Sequence, residues 1–383
     1  MKKEKVIIIG SAYPLRGGGI STFNERLARA YMERGFEVVI YTFSLQYPSF
    51  LFPGKTQYSE EPAPKDLNIK VTINSINPFS WYKTAKAIKK ENAGLAIVRF
   101  WLPFMAPCLG KISRLIRKDK KIKVIAITDN VIPHESRIGD KQLVKYFVNS
   151  VDGFVTMSRS VLTDLNKFDI HKPRAYHPHP LYDNFGDIIP KDKALEKLGL
   201  DKTCRYILFF GFIRDYKGLD LLIKAFDKEK FETMKIKLLI AGEFYNNKDY
   251  YLNLIRNLNL TDNVILHTHF IPNSKVVDYF CAADLVVQPY RNATQSGVTQ
   301  IAYHFDVPMV VTNVGGLSEM IPNNVVGYVV PPEPAEIRNA IIKFFDENKS
   351  EEFKKNILAE RKKFSWDGLI ESVSGVSNIS NKR

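Results

Sequence analysis

Short apolar runs recur along the chain, and most are followed by a stretch with helical spacing. Runs of this kind predict strands at 5–10, 37–42, 96–99, 123–128, 152–157 and 174–176. A second series predicts strands at 206–211, 236–241, 264–266, 285–288 and 308–312. Helical periodicity predicts helices over 20–34, from about 108, over 219–226, 250–258 and 276–280, and from 296. Thr22 with Glu25 three residues on reads as a capping box opening the first helix. Strands that do not alternate apolar with polar belong to parallel sheets covered on both faces. Two such series predict an α/β chain of two doubly wound, Rossmann-like domains. The join falls where Pro178, Pro180, Gly186 and Pro190 cluster, giving domains at 1–182 and 183–365.

Composition narrows the class. At 383 residues, 45% hydrophobic and 25% charged, the chain is not fibrous, collagen-like or wholly disordered. Cys108, Cys204 and Cys281 form no C-x-x-C pair, which argues against a zinc ribbon or a disulfide scaffold and for a reducing cytoplasm. No secretory signal is expected from the short apolar run after Lys5, and no spanning helix from 94–110, which is interrupted by Arg99, Pro103 and Pro107.

The net charge of +14 is unevenly placed. Residues 1–185 hold 29 Lys+Arg against 16 Asp+Glu; residues 186–383 hold 26 against 25. Two basic helical stretches stand out. One carries Lys83, Lys86, Lys89 and Lys90, the other Lys111, Arg114, Arg117, Lys118, Lys120, Lys121 and Lys123. They read as solvated helix faces or as a surface for anionic lipid. A nucleic-acid groove is not expected, because no helix-turn-helix, zinc-finger or RNP-like motif accompanies the charge.

Ligands of open parallel sheets bind outside the carboxyl ends of the strands, so the loops there carry the chemistry. After the first strand, Gly17, Gly18 and Gly19 open a helix, where backbone N–H groups can meet an anion. The loop is neither G-x-G-x-x-G nor a Walker loop. In the loop after the first strand of the second series, Arg214 and Lys217 can neutralise a diphosphate, one as a fork and one as a point charge. After residue 290, Gln295-Ser296-Gly297-Val298 opens another helix, with Gly297 and Val298 N–H groups aimed at a phosphate. The pairs His177/His179 and His267/His269 lack a third ligand, so no metal site is expected.

These strings together resemble glycosyltransferase family 4, retaining enzymes of GT-B architecture. The second half carries F-F-G-F-I-R-D-Y-K-G-L-D, L-L-I-A-G-E, F-I-P-N, A-A-D-L-V-V-Q-P-Y and V-G-G-L-S-E-M-I in order. The first half is similar through its glycine loop and R-L-A-R-A-Y-M-E-R-G-F-E-V, and Phe364-Ser365-Trp366 resembles the start of a helix that crosses back to the N-terminal domain, placing a crossover helix and tail at 366–383. The resemblance implies that Arg214 and Lys217 stabilise a departing nucleoside diphosphate. It implies that Gly18 and Gly19 face the donor phosphates, that Glu243, Phe270 and Ile271 cradle the base, and that Glu319 matches the acidic residue of G-G-x-x-E.

Two departures stand beside it. The family's paired glutamates fall on Thr294 and Ala302, and this variant offers Gln295, Ser296 and Gln300 instead. Where the family commonly has a histidine after the strand at 123–128, Asp129-Asn130 stand here with His134 nearby; Asp129 or His134 is the candidate for the acceptor hydroxyl.

The implied activity is metal-independent sugar transfer from a UDP-sugar or GDP-sugar to a saccharide or lipid-linked acceptor, in cell-surface polysaccharide synthesis. The first domain would meet the acceptor at the inner face of the cytoplasmic membrane. The alternatives are a soluble sugar or sugar-phosphate acceptor, and a non-catalytic nucleotide-sugar binder.

Overall fold

The computed structural model describes residues 4–16, 18–48, 56–132, 138–293 and 296–378. The chain divides into two compact units, 1–180 with 365–383, and 181–364.

The first unit is built on β1 (Lys5–Ile9), β2 (Glu37–Leu45), β3 (Asn68–Asn74), β4 (Leu95–Phe100), β5 (Lys123–Thr128), β6 (Gly153–Thr156) and β7 (Arg174–Tyr176). All pair in parallel, in the order β3-β2-β1-β4-β5-β6-β7. Val6 to Ile9 are all essentially inaccessible to water, as β-branched residues buried on both sheet faces require. Each such side chain contributes about 1.5–3 kcal/mol by leaving water.

The second unit holds β8 (Arg205–Phe210), β9 (Ile236–Ala241), β10 (Val264–His267), β11 (Leu285–Gln288), β12 (Met309–Thr312) and β13 (Gly327–Val330). The order is β10-β9-β8-β11-β12-β13, again with parallel pairing. The chain thus folds as two parallel-sheet, Rossmann-like α/β domains.

The helix Trp366–Ser377 belongs to the first unit. Ser365 caps it by accepting from the Gly368 N–H at 3.1 Å. Trp366, Leu369, Ile370 and Val373 are buried, the Trp366 ring lies 4.9 Å from that of Phe23, and Arg34 pairs with Asp367 at 2.7 Å.

The capping box does not form as expected. The first helix runs Gly19–Glu33 with Gly18 as its N-cap, so Thr22 and Glu25 sit inside it. Thr22 Oγ1 accepts from the Gly18 N–H, and Glu25 reaches back to accept from the Tyr13 N–H at 2.9 Å. The two side chains brace the glycine loop instead.

Candidate functional site

In the second sheet β8 is flanked by β9 on one side and β11 on the other. The chain winds in opposite directions from this point, and the loops that part there leave a crevice at the carboxyl ends of the strands. The loop after β8 makes one tight turn, Asp215–Lys217, and leaves it through Gly218 at φ +64°. A Cβ at Gly218 would lie 2.0 Å from the Pro289 carbonyl oxygen, so no other residue permits this approach of the two loops. The Arg291 N–H donates to the Tyr216 carbonyl at 2.7 Å, and the Arg291 guanidinium grips Asp220 with two 2.7 Å bonds. The loops after β8 and β11 are thereby fixed to each other.

Gly242, after β9, has φ +148°, and its Cβ would fall 2.1 Å from the Gly211 carbonyl oxygen. We expect Gly242→Val to force these two loops apart and to lower Tm; thermal unfolding checks this.

This frame positions the cations. Lys217 Nζ lies 3.0 Å from the point where a Gly211 Cβ would stand, and Val298 Cγ2 lies 3.9 Å from the same point. The ammonium therefore sits near the first turn of the helix Gly297–His304. Its other neighbour is the Tyr290 ring, 5.6 Å away. Arg214 lies 3.8 Å over the Tyr245 ring. Among the described residues no carboxylate pairs with Arg214 or Lys217. Burial, and then the Arg214 charge, push the Lys217 pKa down to about 7. Two neighbouring cations without a counter-ion form a site suited to an anion of more than one charge.

The helix Gly297–His304 adds to that field. Ser296 is its N-cap, and among the described residues no side chain caps it; a helix start of this kind offers its N–H groups to an anion. Ser296 Oγ lies 3.4 Å from the Tyr290 hydroxyl. Gly297 lies against the Tyr182 ring.

Beside the cations the ends of β8, β9 and β10 gather aromatic rings. Phe212 lies 6.0 Å from Tyr245 and 6.2 Å from Phe270. Ile271 is buried next to Phe270. Glu243 is half-buried in the same region, its carbonyl accepting from the Ile213 N–H. Phe212 and Tyr245 were absent from the sequence reading. Phe212 stands two residues before Arg214 and Tyr245 two residues after Glu243, and that spacing is the signal that could have found them.

Gln300 is a correction. It was offered with Gln295 and Ser296 in place of the family's paired glutamates, but it is fully buried, and its Nε2 lies 3.2 Å from Met320 Sδ. Three residues into the helix, its amide nitrogen meets the turn Ser318–Met320, while its Oε1 is buried with no partner among the described residues. Glu319 is exposed on that turn. Gln295 and His134 lie outside the described residues.

In the first unit, Gly18 and Gly19 face open space: nothing lies within 4 Å of where either Cβ would be. Asp129 ends β5 in a different role from the expected one. It is buried and held by Arg99, whose Nε donates to Oδ2 at 2.6 Å and whose Nη2 donates to Oδ1. Arg99 lies 3.6 Å over the Phe23 ring, only 2% exposed. The sequence carried the signal, a lone charge inside the apolar run L-A-I-V-R-F. A carboxylate so engaged is poorly placed to hold an acceptor hydroxyl.

The histidines are local. His177 and His179 donate from Nδ1 to the carbonyls of Pro178 and Pro180, at 2.6 and 2.7 Å. Burial, aided by Arg99, pulls the His179 pKa to about 3. Among the described residues no three His, Cys, Asp or Glu side chains gather as a metal site.

Residues 190–360 match the model of the family described as glycosyl transferases group 1. The chain is 23% identical to a D-inositol 3-phosphate glycosyltransferase of Xylanimonas cellulosilytica, covering 96% of this chain and 93% of that one. It is equally identical to the protein of the same name from Acidothermus cellulolyticus, covering 94% and 85%. Among solved structures it is similar to sucrose-phosphate synthase from Thermosynechococcus elongatus (TM-score 0.72, 16% identity, 98% of each chain). It is also similar to Anabaena HepE in complex with UDP-glucose (TM-score 0.72, 15% identity, 98% of this chain and 100% of that one). Residues 190–360, nearly all of the second unit, thus match the glycosyl transferases group 1 model, and the chain shares the two-domain parallel-sheet fold of these solved structures.

Proposed function

We propose that this chain is a hexosyltransferase that moves a sugar from a nucleoside diphosphate sugar to a saccharide or lipid-linked acceptor, with retention and without a metal ion. The observation that carries this reading is the Arg214–Lys217 pair, which among the described residues meets no carboxylate and stands beside the start of the helix at Gly297. As the sugar–phosphate bond breaks, charge builds on the diphosphate, and both cations stabilise it more in the transition state than in the ground state. They fill the electrostatic role that a divalent cation fills elsewhere. With no carboxylate nucleophile identified, attack from the leaving-group face is the favoured route, the donor phosphate accepting the acceptor's proton. Phe212, Tyr245 and Phe270 offer ring faces for the base. HepE's complex with UDP-glucose supports a uridine donor.

The test is nucleoside diphosphate release across a panel of UDP- and GDP-sugars, with chelator present. Chelator-resistant release from one donor supports the reading and names the sugar. Failure of the folded protein to bind any nucleotide sugar overturns it. Binding without turnover under all acceptors would favour a non-catalytic binder.

Lys217 makes donor binding pH-dependent. Its amine is about half-charged near pH 7 in the free protein, and a bound diphosphate raises its pKa. Binding therefore takes up protons above about pH 7, and affinity falls as pH rises. Calorimetry of UDP binding in buffers of different ionisation heat checks the sign.

The acceptor has a second reading. The full-length relatives are named for D-inositol 3-phosphate, and the first half of this chain is basic, so a phosphorylated polyol would suit it. For the lipid-linked reading the chain works at the inner face of the cytoplasmic membrane in polysaccharide synthesis. Turnover with water-soluble phosphorylated polyols against lipid-linked saccharides separates the two.

A further inference from the structure

The helix Pro78–Lys90 follows the edge strand β3. Asn77 caps it, its Oδ1 accepting from the Phe79 N–H at 3.0 Å. Thr84, Ala85 and Ile88 are buried, and Trp81 is half-buried with its indole N–H on the Asn74 carbonyl. The opposite stripe is unusual for a soluble surface. Phe79 is 80% exposed and Tyr82 62%, with Ile76 at 54% just before the helix. Lys83, Lys86 and Lys90 continue the stripe at helical spacing, all exposed. The helix contains no acidic residue. Lys89 pairs with Asp119 at 2.8 Å, but among the described residues no carboxylate pairs with Lys83, Lys86 or Lys90.

We infer that this stripe is the surface by which the protein docks on an anionic bilayer, with Ile76, Phe79 and Tyr82 entering the headgroup boundary and Lys83, Lys86 and Lys90 lying among the lipid phosphates. The inference rests on the lipid-linked acceptor reading and gives it a place on the chain.

Aromatic rings beside lysines suit the interface, where rings sit at headgroup depth and lysine stems follow apolar matter while the ammonium meets phosphate. Charge complementarity selects the occupant. A second copy of this chain would set lysines against lysines across a two-fold contact. A nucleic acid would meet the lysines but leave Ile76 and Phe79 against a polar backbone. An anionic bilayer satisfies both halves of the stripe.

Topology gives the surface its meaning. The helix starts where β3 ends, so its aromatic end lies at the carboxyl edge of the first sheet, the edge that also carries the glycine loop and Asp129. A bilayer held by Phe79 and Tyr82 would present its headgroups at the same edge of the unit.

Sedimentation with vesicles tests this, using phosphatidylcholine alone and phosphatidylcholine mixed with phosphatidylglycerol. The full chain should bind only the mixed vesicles. The triple variant K83Q/K86Q/K90Q should bind on the order of a hundredfold more weakly, at roughly fivefold per lysine. F79S/Y82S should keep weak binding at low salt and lose it at high salt, since only the screened attraction remains. All these side chains are exposed, so unchanged Tm and unchanged nucleotide binding verify the fold.

Absence of binding to mixed vesicles, or binding that both variants retain, overturns the inference. Loss of a dimer in F79S/Y82S, seen by light scattering, assigns the stripe to a second copy and overturns it too. Sedimentation does not depend on turnover, so a failed donor panel with intact vesicle binding would sink the transferase reading alone.

Discussion

Lys217→Ala should lower kcat for donor turnover on the order of 10²- to 10³-fold, with a smaller change in KM. The ammonium stands at the point where Gly211 and Val298 converge, and among the described residues no carboxylate neutralises it. Its interaction with a diphosphate grows as the leaving group gains charge, which places the loss in kcat rather than in ground-state binding. Arg214→Ala should cost a similar factor. The double variant should lose less than the product of the two, because both cations act as a unit on one leaving group. Near wild-type turnover in Lys217→Ala, with the protein folded, would remove the diphosphate role from this loop.

Asp129→Ala should destabilise the first unit by about 3–5 kcal/mol, because it leaves the Arg99 charge buried and unpaired. For a domain of this size that is a fall in Tm on the order of 10 °C. Replacing both partners by apolar residues of similar volume should recover much of the loss, since the cost lies in the orphaned charge more than in the absent bond. The opposite pattern, unchanged Tm with turnover lost, would return Asp129 to the acceptor site that sequence reasoning gave it. Thermal unfolding and turnover on one set of variants decide between the two.

The sheets were legible because their central strands are apolar on both faces. Val6–Ile9 and Val124–Ile127 admit no other use for so many β-branched residues. β3 was not legible: it is an edge strand, N-I-K-V-T-I-N alternates, and Val71 is 44% exposed. The loop cations were readable from their place after a strand, since topology fixes which loops face a ligand. What sequence could not reveal was direction. Gln300 is fully buried with its amide nitrogen on Met320 Sδ, and the sequence gives no sign that the Met320 turn lies there. Arg99 shows the converse. Its run looked like an ordinary strand, and only pairing across to β5 reveals where its charge goes.

The helix Trp366–Ser377 has a consequence for how the protein is made. It closes the first unit with Trp366, Leu369, Ile370 and Val373, and its Asp367 meets Arg34 from 333 residues further along the chain. The second unit, 181–364, is continuous in sequence and can fold as it leaves the ribosome. The first unit emerges earlier but must wait, its face over β5–β7 uncovered, until the whole second unit has passed. The domain synthesised first is therefore the one completed last, and during translation its apolar face waits exposed to aggregation.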